Sequence, residues 1–221
     1  MESNIQKLKE LLETIPKEDY YDYFGKIAKI LMNQCYIQKG DTEYQIIEIE
    51  FYLYTPTHTD VITYPREIEA GRWFFHQSGV DLTFKSNRYE FGGILIRGLK
   101  NLKNGKMILG PLNCVNILWD EFDAFTPAVE DYPQIKCSEC LINHDTPHTY
   151  ERWIPVSLNK RELKLKDWIA RLPDNKNSIN IKEAETVVFN SHYRFIMDEA
   201  IDFESLIWKR YSAKPKSLPT V

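Results

Sequence analysis

An alternating run between residues 46 and 54 constrains the fold more than any other feature of this chain. The run reads IIEIEFYLY, and successive side chains of a strand point to opposite faces. One face is apolar and predicts packing into a core; it consists of Ile47, Ile49, Phe51 and Leu53. The other face combines carboxylates with aromatic rings; it consists of Glu48, Glu50, Tyr52 and Tyr54. Such a face is either a solvated surface or the floor of a polar site.

Helical and strand-like patterns surround this run. Apolar residues at helical spacing predict helices over residues 3 to 15 and 20 to 32, and further helices in GPLNCVNILWDEF, RELKLKDWIARL and DEAIDFESLIWKRY. Period-two patterns predict strands in CYIQ, FGGILIRGL, TVVFN and HYRFIM. WFFHQSGVDLTF predicts a hairpin that turns at Ser78-Gly79, and residues 127 to 149 predict a loop. The class is therefore α+β, with a mainly antiparallel sheet flanked by helices.

The same patterns predict one domain with two flanking segments. Residues 1 to 34 form N-terminal helices that pack on the core, and residues 35 to 212 form the α+β domain. Residues 213 to 221 are a predicted disordered tail.

Composition limits the location and the partners. The 221 residues contain no apolar run of the roughly 20 residues that a membrane helix needs, and no signal peptide pattern. We therefore expect a cytoplasmic monomer without a membrane partner, in which the four cysteines are free thiols or metal ligands. The net charge of −4 argues against a dedicated binder of polyanions. A local basic face on an acidic protein still permits a nucleic-acid partner.

Four residues with the side chains that zinc prefers lie within twelve positions. They are Cys137, Cys140, His144 and His148. The spacing within each pair suits zinc, but only three residues separate the pairs, which is far shorter than in standard fingers. A structural zinc site and a polar loop with two free thiols are both open on this pattern.

The chain from about residue 25 to 120 resembles the alkyladenine (3-methyladenine) DNA glycosylase family. The likeness lies in the order of its motifs: IIEIEFYLYTPTHTD, then GRWFFHQSGVDLTF, then GGILIRGL, then a GP that begins a helix. It implies a curved sheet or partial barrel, similar to the glycosylase fold and to the C-terminal domain of formyltransferases. It also implies base excision, the hydrolysis of the N-glycosidic bond of a damaged or modified base.

The resemblance assigns roles to individual residues. Glu50 matches the family's general base, which activates water, and Arg97 matches an arginine beside that water. Tyr52, His58 and Phe75 match the side chains that hold the flipped base between them, as enzymes that act on an extruded base require. A glutamate suffices for this chemistry, so no cofactor is expected. DNA is the favoured partner over RNA, with a free nucleoside as a further possibility.

Two positions depart from the family pattern. The family has a bulky tyrosine at the hairpin tip, where this chain has Ser78, and a serine cannot fill the gap left by a flipped base. Lys85 falls where the family has an asparagine that excludes guanine. The base and the strandedness of the substrate therefore do not follow from the resemblance.

His76 and the alternative function complete the expectations. His76 lies on the hairpin beside the expected pocket, where a substrate-binding role and a structural hydrogen bond are both open. The alternative to catalysis is a non-catalytic module that binds a nucleobase or modified nucleotide on the same scaffold. A Glu50 engaged in an ion pair, without room for water, would favour that alternative.

Overall fold

The computed structural model describes residues 3–77, 79–120, 132–173 and 179–201. Its helices are α1 Asn4–Glu13, α2 Tyr20–Asn33, α3 Pro111–Leu118, α4 Arg161–Ile169 and α5 Ile181–Glu185. Its first strands are β1 Cys35–Lys39, β2 Thr42–Thr55, β3 His58–Thr59, β4 Trp73–His76 and β5 Gly79–Thr83. The later strands are β6 Phe91–Asn101, β7 Met107–Leu109, β8 Gln134–Cys137, β9 His148–Tyr150 and β10 Arg194–Ile196.

The strands form one antiparallel sheet built around β2 and β6. The main order is β4-β5-β6-β2-β1-β8, while β10 pairs with β2 and β9 pairs with β10. The indole Nε1 of Trp73, on β4, donates a hydrogen bond to the carbonyl of Pro133, just before β8. Among the described strands, β4 and β8 at the two ends of this order do not pair, so the sheet is not closed. The α+β class with an antiparallel sheet flanked by helices is confirmed.

Apolar clusters lie on both faces of β2. On one face, Phe24 of α2 stacks on Phe51 at 4.4 Å between ring centroids, and both side chains are fully buried. On the other face, Tyr54 stacks on Phe91 at 5.0 Å and belongs to a cluster that includes Leu165 of α4. The end of β2 is thus sandwiched between two helical layers, while the stretch around Glu50 carries the polar groups.

The helices predicted over residues 3 to 15 and 20 to 32 are confirmed, as are the hairpin arms and the helix that begins at Pro111. The strand predicted in TVVFN is wrong, because Thr186–Asn190 forms a π-helical turn. The loop predicted over residues 127 to 149 is wrong in part, because it contains β8 and the start of β9. Ser78, most of the last predicted helix and the predicted tail lie outside the described residues.

The expectation that the cysteines are free thiols or metal ligands is wrong for two of them. Cys35 and Cys137 face each other across β1 and β8 and form a disulfide with an S–S distance of 2.03 Å. The two residues are 102 positions apart, so only the strand pairing brings them together. None of the helices in the described part of the chain has the length and apolar content needed to cross a bilayer.

Candidate functional site

One row of paired residues crosses the sheet and organises the candidate site. The row runs Tyr150, Arg194, Glu50, Leu95, Asp81, Phe74. Directly paired residues of antiparallel strands project from the same face. Glu50 and Asp81 therefore share a face, with two strand spacings or about 10 Å between their backbones.

Glu50 lies at the centre of this face and has one oxygen engaged and one unengaged. Its Oε2 accepts a hydrogen bond from the Tyr52 hydroxyl at 2.7 Å and lies 3.4 Å from Nη1 of Arg97. Its Oε1 is buried without a hydrogen-bond partner among the described residues, and the nearest cation is Nε of Arg194 at 3.9 Å. A buried carboxylate oxygen without a donor is costly, and such groups are found where a water or ligand belongs.

Glu48 fixes the two arginines beside Glu50. Its Oε1 accepts from Nε of Arg97 at 2.6 Å and from Nε of Arg194 at 2.8 Å. Burial disfavours the charged form of Arg97, but Glu50 and Glu48 outweigh it and raise the pKa of the guanidinium. Two carboxylates and two guanidinium groups thus balance in formal charge on this face.

A pair of compensating bulges places Arg97 there. The register of β2 and β6 shifts between Ile46 and Glu48 and shifts back between Glu48 and Ile49. Ile47 and Arg97 are the extra residues of the two strands, since neither has a direct partner in the register. Gly98 permits the close approach, because a Cβ there would lie 2.8 Å from Cβ of Glu48. Bulges commonly redirect side chains in this way.

Tyr52 connects the face to a second buried ion pair. Burial, followed by the charge of Glu50, raises the pKa of Tyr52 well above its ordinary value. The phenol therefore stays protonated and donates a hydrogen bond to Oε2 of Glu50. The guanidinium of Arg152 lies 4.7 Å from the centre of the Tyr52 ring. Arg152 makes a bidentate pair with Asp60 at 2.8 Å for each bond, and both side chains are fully buried.

Asp81 anchors a further cluster on the same face. Its Oδ2 accepts from Nη1 of Arg66 at 2.7 Å, and its Oδ1 lies 3.1 Å from Nε2 of His76. The guanidinium of Arg66 lies 4.0 Å from the centre of the Phe74 ring. His76 therefore lies on the face of Glu50, held by a carboxylate that is 1% exposed.

The structure brings together three of the residues assigned from the resemblance. Glu50, Tyr52 and Arg97 are in direct contact. Phe75 alternates with Phe74 and His76, which places it on the other face, where its ring packs edge-on against Trp119 at 4.8 Å. The expected sandwich of a base between Tyr52 and Phe75 therefore does not form.

His58 and Lys85 also lie apart from Glu50. The ring nitrogens of His58 are 2.6 Å from the carbonyl oxygen of Leu53 and 2.8 Å from the Tyr193 hydroxyl. Its ring packs beside Tyr20 at 4.4 Å, so it is a satisfied core histidine. Lys85 is exposed and pairs with Glu13 of α1 at 3.2 Å.

The four expected zinc ligands do not form a metal site. Cys137 is in the disulfide, and a disulfide sulfur is not a thiolate ligand. Cys140 is exposed, and His148 lies 2.6 Å from Asp198. Within the described ranges, no group of three or more His, Cys, Asp or Glu side chains is placed to hold a metal ion.

Several residues of the site have no role predicted from the sequence: Arg194, Arg152, Asp60 and Arg66. Asp81 flanks the hairpin turn together with His76 in the sequence, and its pairing with Phe74 places it on the face of His76. Arg194 and Arg152 reach β2 only through pairings more than 100 residues apart in sequence, which local patterns do not reveal.

Comparisons with known proteins add a distant viral relative. No family model matches the chain, and no solved structure matches it. An uncharacterised protein of Acanthamoeba polyphaga mimivirus is 29% identical to it over 138 residues. The match covers 49% of this chain and 64% of that protein, so the chain spans less than two thirds of its relative's length.

The arrangement around Glu50 has the chemical elements of a general base. Among the described residues, Oε1 of Glu50 has no hydrogen-bond donor and lies 3.9 Å from Nε of Arg194. A neutral phenol and the guanidinium of Arg97 hold Oε2, and the surroundings are largely dry. Glu50 itself is 1% exposed, whereas the side chains of Arg97 and Arg194 are 16% and 14% exposed. Solvent or a ligand at the surface would therefore meet these two arginines before it meets Glu50.

Proposed function

We propose that the chain hydrolyses the N-glycosidic bond of a damaged or modified base in nucleic acid, with Glu50 activating the attacking water. The observation that carries the proposal is the buried Oε1 of Glu50, which has no hydrogen-bond partner among the described residues. A water bound there would donate a proton to the carboxylate as it attacks the sugar. The ordered motifs of residues 25 to 120 supply the reaction class.

Arg97 and Arg194 have two roles in this proposal. Their guanidinium groups lie within 4 Å of Glu50 and hold the carboxylate in position. Their partly exposed edges are positioned to contact a phosphate next to the scissile bond. Tyr52 donates to Oε2 and thereby directs the water to Oε1.

The absence of the expected sandwich changes which residues contact the base. Phe75 and His58 are excluded by their positions, whereas His76 and Phe74 lie on the face of Glu50. In this proposal the base lies between Tyr52 and the Asp81 cluster, which comprises Asp81, His76, Arg66 and Phe74. The hydrogen-bonding groups of that cluster would read the edge of the base.

A specific observation favours a second candidate, a non-catalytic module that binds a nucleobase or modified nucleotide. Glu50 is engaged by Tyr52 and by two arginines and is nearly inaccessible. A carboxylate compensated in this way is also suited to structure and recognition alone. The two candidates differ in whether bound base is released from its sugar.

The test is single-turnover release of base from alkylated DNA, in single-stranded and double-stranded form. Release by the wild type that is lost in Glu50→Gln supports hydrolysis. Glu43→Gln is the matched control, because Glu43 lies on the same strand and is exposed. Saturable binding of modified nucleosides without release by the wild type would favour the second candidate.

A further inference from the structure

The third cysteine near the disulfide is placed for chemistry that the proposed function does not use. Cys35 is fully buried, Cys137 is half-buried, and Cys140 is an exposed free thiol. Cys140 follows Cys137 by three residues, a separation of at most about 10 Å even in an extended chain. Cys-x-x-Cys is a spacing at which the two sulfurs can form a disulfide.

Hydrogen bonds fold the loop that carries Cys140 back over the residues next to Cys35. The amide of Ser138 donates to the carbonyl of Gln34 at 2.7 Å, and the amide of Ile142 donates to the carbonyl of Asn33 at 2.7 Å. Cys140 lies midway between these two anchors, and its own amide donates to the Ser138 hydroxyl at 3.1 Å.

The side chain of Asn33 holds the far end of the same loop. Its Nδ2 donates to the carbonyls of Asn143 at 2.9 Å and Asp145 at 2.6 Å. Asn33 is 4% exposed, so this anchor is part of the folded core. The loop therefore keeps Cys140 on the surface beside the strand pair that carries the disulfide.

We infer that Cys35, Cys137 and Cys140 form a thiol–disulfide exchange site that acts on its own disulfide and then on low-molecular-weight thiols. The thiolate of Cys140 attacks Sγ of Cys137 and forms the Cys137–Cys140 bond. The Cys35–Cys137 bond breaks, and its electron pair leaves with Sγ of Cys35. Cys35 takes up a proton equivalent to the one that Cys140 lost, so the step consumes no oxidant or reductant.

The exposure of the cysteines differs in the order that this exchange needs. Cys140 is exposed and Cys137 is partly exposed, whereas Cys35 lies in the core, so Sγ of Cys137 is the sulfur of the disulfide that a thiolate can reach. Exchange moves the disulfide from the buried pair to the surface loop. There, two equivalents of a small thiol such as glutathione can reduce it, and they leave as the oxidised thiol dimer.

The test maps disulfides in the intact protein. Wild type, Cys140→Ser and Cys114→Ser are incubated without reductant and then unfolded in urea at mildly acidic pH with N-ethylmaleimide, which traps buried and exposed free thiols alike. Peptides are then identified by mass spectrometry. Cys114→Ser is the control, because it removes the other free cysteine, which is a buried residue of α3. The exchange site predicts labelled Cys35 with a Cys137–Cys140 bond in wild type and in Cys114→Ser, but not in Cys140→Ser.

The rate of reduction is a second readout. Reduction of the disulfide by glutathione should be slower in Cys140→Ser by at least about tenfold. Wild type in which Cys35 stays unlabelled, or equal reduction rates in wild type and Cys140→Ser, would overturn the inference.

Discussion

At the scale of single residues, hydrogen-bond partners distinguish structural charges from the candidate catalytic charge. Asp60 is fully buried, and both of its oxygens accept bonds from Arg152. Arg152 also donates to the carbonyls of Phe51 and Val188, which ties the strand to the helical layer. Glu50 is almost as buried, yet one of its oxygens has no such bond within the described part of the chain. The first arrangement holds the fold, and the second suits a site that receives a water.

His58 provides a prediction at this scale. Burial lowers the pKa of His58 below its ordinary value of 6.5. Below about pH 6.5 the unfolded chain takes up a proton that the folded protein resists, so the free energy of unfolding falls as pH falls. The loss should approach about 1.4 kcal/mol per pH unit until the folded imidazole itself titrates.

Urea unfolding of wild type and His58→Gln between about pH 5 and pH 8 measures this effect. The variant should be less stable near neutral pH and should show a flatter dependence on pH. His192→Gln is the control, because His192 is exposed, and its curve should follow the wild type. A His58→Gln curve with the wild-type slope would refute the assignment.

At the scale of elements, the close packing of β5 on β6 depends on Gly93, which pairs with Thr83 and lies diagonal to Asp81. A Cβ at Gly93 would lie 2.7 Å from Cβ of Asp81, a distance that real Cβ atoms do not show. Gly93→Ala should therefore push the two strands apart. We expect a loss of about 1–3 kcal/mol in the free energy of unfolding, typical of overpacking, together with displacement of the Asp81 cluster from Glu50.

Gly25→Ala is the opposite control for that measurement. Gly25 lies inside α2, and a Cβ there would meet nothing within 4 Å. Alanine in a helix interior is favoured over glycine by about 1 kcal/mol, so this variant should be more stable than the wild type. Equal stability of Gly93→Ala and wild type in urea unfolding would contradict the packing argument.

Some of these elements could be predicted from local sequence patterns and others could not. Local periodicity was enough to predict the alternation in β2, the hairpin of β4 and β5, and the helices α1, α2 and α3. The bulge that redirects Arg97 did not, because one extra residue on each strand leaves the pattern of apolar residues intact. The β-branched TVVFN forms a π-helical turn because Arg152 binds the carbonyls of Val187 and Val188, a tertiary contact that overrides strand propensity.

The candidate site was predictable only in part for the same reason. Glu50 and Tyr52 lie on one strand whose alternation is visible in the sequence, whereas Arg97 was assigned by the resemblance and reaches Glu50 through the bulge. Arg194 and Asp81 join them through strand pairings that no local pattern specifies. Alternation also placed Phe75 opposite to His76, and the structure shows that His76 is the one on the face of Glu50.

At the scale of the whole molecule, the disulfide between Cys35 and Cys137 closes a long covalent loop. It links β1 to β8 over 102 residues, a loop that includes β2, β6 and Glu50, whereas Arg152 and Arg194 follow it in the chain. Disulfides persist in oxidising compartments and are rare in the cytosol. The cytoplasmic location therefore stays a prediction, and the redox state of this bond is the property to measure for it.

Loss of this bond should lower the stability of the oxidised protein substantially. Closing a loop of about 100 residues restricts the unfolded chain by about 4–5 kcal/mol in the chain-entropy account. We expect Cys137→Ser to lose a few kcal/mol in urea unfolding, and reductant to bring the wild type close to the variant. Cys140→Ser, which leaves the disulfide in place, should keep the wild-type value, and a loss as large as that of Cys137→Ser would contradict the account.

The most direct measurement is the single-turnover rate of base release by Glu50→Gln, relative to wild type, at equal folded fraction. If Glu50 activates water through its unengaged oxygen, the rate should fall by about 10²–10⁴-fold, as for loss of a general base, while Glu43→Gln keeps the wild-type rate. A Glu50→Gln protein that is folded and releases base at the wild-type rate would contradict the central claim. So would a wild type that binds modified nucleosides and releases no base.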